Sequence, residues 1–174
     1  MARIGLAGTV SVGKSTLVKE LAKLEQFKDY HVATERSKYL RDQGILLNDD
    51  STTKGQFVFA AERSLELMHD DLLTDRTIYD VCAFTMSAKS ISWEDKIKLI
   101  ESFLIIRGDY DVIIYVSPEG VDIEDNGVRI TDAEYRQKID FVIKGLLQQY
   151  PPKKLIEIKG STEERINSIL SQIN

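Results

Sequence analysis

Cysteine and tryptophan each occur once in this chain, histidine twice and proline three times, among 174 residues. Each scarcity excludes something. A lone Cys82 forms no internal disulfide and suits a reducing compartment. It stands in an apolar stretch with Val81, Ala83 and Phe84, which reads as a buried structural thiol rather than a nucleophile. His31 and His69 fall at the edges of predicted elements without the spacing of metal ligands, so zinc is not expected. No apolar run is long enough to span a bilayer. No apolar leader helix forms before Lys14, so a signal peptide is not expected either. Basic charge is short as well: 23 Lys and Arg stand against 28 Asp and Glu, a net charge of −5. That balance gives no support to a role in coating nucleic acid. The expectation is a cytoplasmic protein, host cytoplasm included if the gene is viral, with no membrane among its partners and nucleic acid not favoured as one. At this length one domain with a sizeable core is expected over residues 1–174. No repeat, linker or low-complexity tract interrupts it.

What the chain does have is Gly8-Thr-Val-Ser-Val-Gly-Lys-Ser-Thr16. It meets G-x-x-x-x-G-K-[ST] at Gly8, Gly13, Lys14 and Ser15. The apolar run Ile4 to Ala7 precedes it, and Leu17, Val18, Leu21 and Leu24 follow at helical spacing. This is the strand–loop–helix setting that the motif requires. In such a loop the backbone N–H groups, here including those of Ser11, Val12 and Gly13 through Thr16, converge on phosphates at a helix N-terminus. Lys14 would reach the outer phosphates, and the Ser15 hydroxyl would ligate Mg²⁺. The expected ligand is a nucleoside triphosphate with Mg²⁺.

Strands and helices alternate along the rest of the chain. Strands are expected at Arg3–Ala7, His31–Glu35, Asp71–Arg76, Asp111–Ser117 and Lys154–Lys159. Helices are expected at Lys14–Phe27, Arg36–Gln43, Thr53–His69, Thr77–Lys89, Trp93–Ile106 and Thr131–Tyr150, with a last one opened by the capping box Ser161-Thr-Glu-Glu164. In Thr53–His69 the apolar positions are Phe57, Ala60, Ala61, Leu65 and Met68. Pro118 to Ile130 is a loop rich in Gly and acids, part of a short lid expected around 118–136. The alternation argues for an α/β fold, a parallel sheet with helices on both faces. Such a sheet gathers ligands beyond the carboxyl ends of its strands. Four segments deliver polar groups to that edge: the loop, Glu35-Arg36, Asp75-Arg76, and the residues after Ser117.

Asp75 would hold Mg²⁺ or its water, or else cap the next helix. Glu35 could accept the proton of an attacking hydroxyl, bind a sugar hydroxyl, or pair with Arg36 or Arg76. Arg36, Arg63 and Arg76 are candidates for gripping the acceptor, since arginine binds phosphate bidentately and stacks on rings. For Arg63, on a helix, a solvated face is the default. Gln56 reads a base edge or sits exposed. Arg129 and Arg136 flank the loop, where arginines on a closing lid neutralise charge developing in phosphoryl transfer, or are ordinary surface groups. Asp122, Glu124 and Asp125 would keep an open loop hydrated. No N-K-x-D motif follows a strand, the fourth strand ends without an acid, and the chain is short for a ring-forming ATPase with a helical subdomain. Helicase and transporter motifs are missing. These absences favour a small-molecule kinase.

With these residues collected, the chain resembles the phosphate-loop nucleoside and nucleotide kinases. The pattern is nearest to the ribosylnicotinamide-kinase domain of bacterial NAD-biosynthesis regulators and the related phage and bacterial AAA-type ATPase/kinase domains. It runs through Gly8–Thr16, Thr34-Glu35-Arg36, Gly55-Gln56, Leu73-Thr-Asp-Arg-Thr77 with Ala83-Phe-Thr85, and Asp125-Asn-Gly-Val-Arg129. Phe59-Ala-Ala-Glu-Arg63 with Thr74-Asp-Arg76 also looks like thymidylate kinases, though with a shorter gap between Arg63 and Asp75. Deoxynucleoside kinases carry a glutamate base where Glu35 stands. The resemblance implies the three-layer P-loop NTPase fold, with a five-stranded sheet ordered 2-3-1-4-5. It also implies Mg-ATP as donor and a nucleoside or nucleoside monophosphate as acceptor. The regulators also carry an adenylyltransferase domain; this chain has none, so a bifunctional role does not carry over. A polynucleotide kinase and a non-metabolic ATP-binding switch are the alternatives, and a homodimer stays open.

Overall fold

The computed structural model describes residues 2–34, 36–120 and 133–173. Its strands are β1 (Arg3–Ala7), β2 (His31–Ala33), β3 (Leu72–Thr74), β4 (Val112–Val116) and β5 (Leu155–Ile158). They form one sheet in the order β2-β3-β1-β4-β5. Every pairing is parallel, with Gly5 of β1 opposite Thr74 on one side and Ile113 on the other. The helices are α1 (Lys14–Leu21), α2 (Ser37–Asp42), α3 (Thr53–Glu66), α4 (Ile78–Ser87), α5 (Trp93–Phe103), α6 (Ala133–Gln149) and α7 (Thr162–Ile173).

The unbroken apolar run of β4 is explained by its two covered faces. Its side chains alternate by the strand's period of two. Ile113 and Tyr115 join the cluster built with α4, α5 and α6, whereas Val112, Ile114 and Val116 join the cluster built with α1 and α7. The sheet is therefore a middle layer, and loops at the carboxyl ends of β1, β3 and β4 meet along one edge.

Three helices depart from the expectation. α1 stops at Leu21, and a separate 3₁₀ turn at Glu25–Phe27 tucks Phe27 into the core against the edge of Tyr30. α5 gives way after Phe103 to a 3₁₀ segment, Leu104–Asp109. α3 is helical as expected but turned the other way. Of the expected apolar positions only Ala60 is buried, at 7%; Phe57 and Leu65 are 53% and 69% exposed, as is Met68 at 77% just beyond the helix, while Gln56 and Arg63 are buried at 2% and 3%. Most of the apolar stripe faces out and Gln56 and Arg63 face in, because the inner side of α3 borders a cleft that is part aromatic and part polar.

Candidate active site

The loop between β1 and α1 is shaped by contacts that only small residues permit. A Cβ on Gly8 would lie 2.7 Å from the Val116 carbonyl oxygen, so the loop crosses β4 at a distance no side chain allows. Gly13 caps α1 at φ 83°, the left-handed region that glycine enters without cost. Beyond it, the N-terminus of α1 begins with Lys14 and Ser15. The Lys14 ammonium donates to the carbonyls of Gly8 and Thr9, the latter at 2.7 Å, and stands 3.7 Å from Asp80 Oδ1.

Asp80, which the sequence reading passed over, ties this corner together. The Gly8 N–H donates to its Oδ1 at 3.3 Å. The Thr77 N–H and hydroxyl donate to its Oδ2 at 2.9 and 2.7 Å. Arg76 Nη1 is 3.8 Å away. Asp80 is thus the carboxylate of the box that caps α4, and its spacing from Thr77 was the available signal.

Asp75 therefore does not cap α4. It is 1% exposed, and neither of its carboxylate oxygens has a hydrogen-bond partner. It lines a small recess with Ser11, Val12, Gly13, Lys14, Ser15 and Arg76. A buried carboxylate without a partner is costly unless a cation meets it. One carboxylate and one hydroxyl facing a phosphate loop are the donor set Mg²⁺ takes when substrate phosphates and water complete its shell. The residues fit that ion. No cluster of three metal-binding side chains exists among the described residues.

Across Val10 and Arg76, which border both spaces, lies a cleft of about 320 Å³. Gln56, Arg63 and Arg36 line it together with Glu62, Phe59 and Phe84. The polar groups are held by one another. Arg63 Nη2 is 2.6 Å from Glu66 and 3.7 Å from Glu62, which also pairs with Arg36 at 3.3 Å. Arg36 lies over the Tyr39 ring and Arg76 over the Phe84 ring. The Thr85 hydroxyl donates to the Val81 carbonyl at 2.8 Å and lies 3.2 Å from Gln56 Oε1. Aromatic walls with a few fixed polar groups suit a planar, polar small molecule.

Residues 3–165 match the family model described as an AAA domain. The chain belongs to that AAA-domain family. No curated protein matches this chain by sequence. Among solved structures it is similar to thymidylate kinase from Candida albicans, with a TM-score of 0.69 at 18% identity over 99% of this chain and 90% of that one. It is also similar to deoxyadenosine kinase from M. mycoides with its products bound, with a TM-score of 0.65 at 17% identity over 99% and 98%. The same enzyme with bound dATP gives a TM-score of 0.65 at 17% identity over the whole of both chains. These likenesses establish the fold, the P-loop architecture that this chain shares with those kinases.

Of the residues expected at the site, the structure brings Gly8, Ser11, Val12, Gly13, Lys14, Ser15, Asp75 and Arg76 together at the loop. Thr16 follows within the first turn of α1. Arg36, Gln56, Arg63 and Arg76 meet at the cleft. Arg136 reaches the loop too, donating from Nη2 to the Ser11 carbonyl at 3.3 Å. Glu35 and Arg129 lie outside the described residues, as do Asp122, Glu124 and Asp125. Glu62 and Glu66 were missed; their signal was the acidic pair bracketing Arg63 one turn apart.

Glu66 carries a consequence for the AAA domain's pH dependence. Burial raises its pKa from 4.5 to about 7, against the opposing pull of Arg63 and of the Thr74 hydroxyl 2.9 Å away. The folded pKa exceeds the unfolded one, so Glu66 favours folding most below about pH 4.5, and that contribution is lost as pH rises through about 7. The stability of the wild type relative to Glu66→Gln is expected to fall by roughly 3 kcal/mol across that window. Urea unfolding of both proteins at a series of pH values checks this, and parallel profiles would contradict it.

Proposed function

We propose that this protein is an ATP-dependent kinase that transfers the γ-phosphoryl group to a nucleoside or nucleoside monophosphate. The observation that carries the reading is the pairing of two spaces: a phosphate-loop recess with the unpartnered Asp75, and a larger aromatic and polar cleft sharing Val10 and Arg76 with it. A donor held in one would present its terminal phosphate to an acceptor held in the other.

In this reading the loop amides and Lys14 hold the donor's phosphates. Lys14 exchanges the carbonyls of Gly8 and Thr9 for phosphate oxygens, and Asp80 faces its ammonium while holding the Gly8 amide. Ser15 and Asp75 would hold Mg²⁺, which when bound neutralises charge on the transferring group. Gln56 contacts the acceptor's base between Phe59 and Phe84. Arg63, Arg36 and Arg76 bind its sugar or phosphate. Glu35 keeps the role of orienting or deprotonating the acceptor hydroxyl, and Arg129 and Arg136 that of lid arginines. The likeness in fold to thymidylate and deoxyadenosine kinases supports this class of acceptor. The cytoplasm, where ATP is abundant and thiols such as Cys82 stay reduced, is its place of work.

The test is ADP release from Mg-ATP across deoxynucleosides, their 5′-monophosphates and nicotinamide riboside. One acceptor is expected to stimulate release at least about tenfold, well within the range a correctly positioned acceptor supplies. A monophosphate would make Arg63 and Arg76 its clamp, and a nucleoside would assign Glu35 as base. ATP binding with no stimulation by any acceptor would overturn the kinase and favour an ATP-binding switch.

A further inference from the structure

Arg165 stands in α7 four residues before Ile169 and eight before Ile173, on the stripe that packs toward the sheet. It is 4% exposed. No carboxylate pairs with it among the described residues, and its Nε is buried without a partner. Burying a guanidinium without a counter-charge is expensive. Its Nη1 donates to the Val12 carbonyl at 2.7 Å, and its Nη2 to the Ser117 carbonyl at 3.4 Å. The guanidinium also lies against Gly13, where an added Cβ would be 3.6 Å from Nη1.

Arg136 does the same on the neighbouring peptide. Its Nη2 donates to the Ser11 carbonyl at 3.3 Å and, more weakly, to the Pro118 carbonyl at 3.5 Å. Two arginines from two helices thus take consecutive carbonyls of the phosphate loop and consecutive carbonyls at the exit of β4. All peptide bonds described are trans. In a trans peptide the C=O and the following N–H point to opposite sides. Holding the Val12 carbonyl outward turns the Gly13 N–H inward, and holding the Ser11 carbonyl outward turns the Val12 N–H inward. Such inward amides are what a loop offers to an anion.

We propose that Arg165 is a positioning residue for the phosphate site: it fixes the loop's amides toward the nucleotide's phosphates from behind and leaves its positive charge for those phosphates to balance. The proposal rests on reading the loop as a nucleotide site. It does not depend on which acceptor is phosphorylated.

Binding of ADP and of tripolyphosphate, which has no base or sugar, is measured by calorimetry on wild type, Arg165→Met and Arg165→Lys. Arg165→Met is expected to weaken both ligands about 10- to 100-fold, the usual cost of losing a group that orients a ligating one. Arg165→Lys should fall between, since an ammonium keeps the charge but not the fork that spans two carbonyls. Methylguanidinium added to Arg165→Ala should restore ADP affinity, an effect that a purely structural role would not produce. Should Arg165→Met not fold, the Lys variant and the rescue decide the question. Equal affinities across folded variants, or a stability loss with tripolyphosphate binding unchanged, would overturn the proposal. A wild type that binds neither ligand would instead overturn the nucleotide site itself.

Discussion

Asp75→Asn is expected to lower phosphoryl transfer by at least about 10³-fold while making the folded protein more stable, by about 1–3 kcal/mol. The two effects have opposite signs because the same feature causes both. The Asp75 oxygens are buried beside the loop and accept no hydrogen bond. An ionised carboxylate in that position costs stability, and a neutral amide of the same shape relieves it. The negative charge is also what a cation next to Ser15 would need, so removing it removes the group that places the metal on the phosphates. Functional sites commonly trade stability in this way. Turnover with the best acceptor and urea unfolding, measured on one preparation, check both halves. Lys14→Met serves as the companion, with a comparable loss of turnover. Retained turnover in Asp75→Asn would remove Asp75 from the reaction, and lowered stability would show that its carboxylate is paired.

Asp80→Ala is expected to be the most damaging single change to the fold near the site, costing about 3–5 kcal/mol. The carboxylate accepts from the Gly8 amide and from the Thr77 amide and hydroxyl, and it faces both Lys14 and Arg76. Its loss uncaps α4 and leaves two cations near one another in a buried corner. In a domain of this size the melting temperature would drop by roughly 10 °C or more. Asp80→Asn keeps an oxygen for Thr77 but not the charge, so it should recover part of the stability and little of the nucleotide affinity. Thermal unfolding with ADP titration separates the two. A near-wild-type melting temperature for Asp80→Ala would show that Lys14 and Arg76 find other partners.

The loop from Gly8 to Thr16 was legible because its geometry is local. Nine consecutive residues specify the turn, its left-handed glycine at Gly13 and the helix that follows. The strand alternation was legible for the same reason, and with it the parallel sheet and the gathering of Asp75 and Arg76 at its edge. The face of α3 was not. Its exposed Phe57, Ala61 and Leu65 recur at helical spacing, but periodicity says only that a helix has two faces. Which face turns inward depends on what the neighbouring elements present, and here they present a polar cleft.

The same limit explains Asp80 and Arg165. Asp80 shows its cap of Thr77 in the local spacing, but its bond to Gly8 spans 72 residues, and that between Arg165 and Val12 spans 153. Spacing along the chain carries no record of such contacts. The amino-acid sequence by itself determined a phosphate-binding loop, a parallel α/β sheet and the strand ends where chemistry gathers, because hydrogen bonding and side-chain alternation within a few residues suffice for these. Only the tertiary structure decided that Asp75 is left without a partner, that Arg63 and Gln56 face inward, and that Arg165 stands behind the loop, because burial and charge pairing are set by residues brought together from the whole chain.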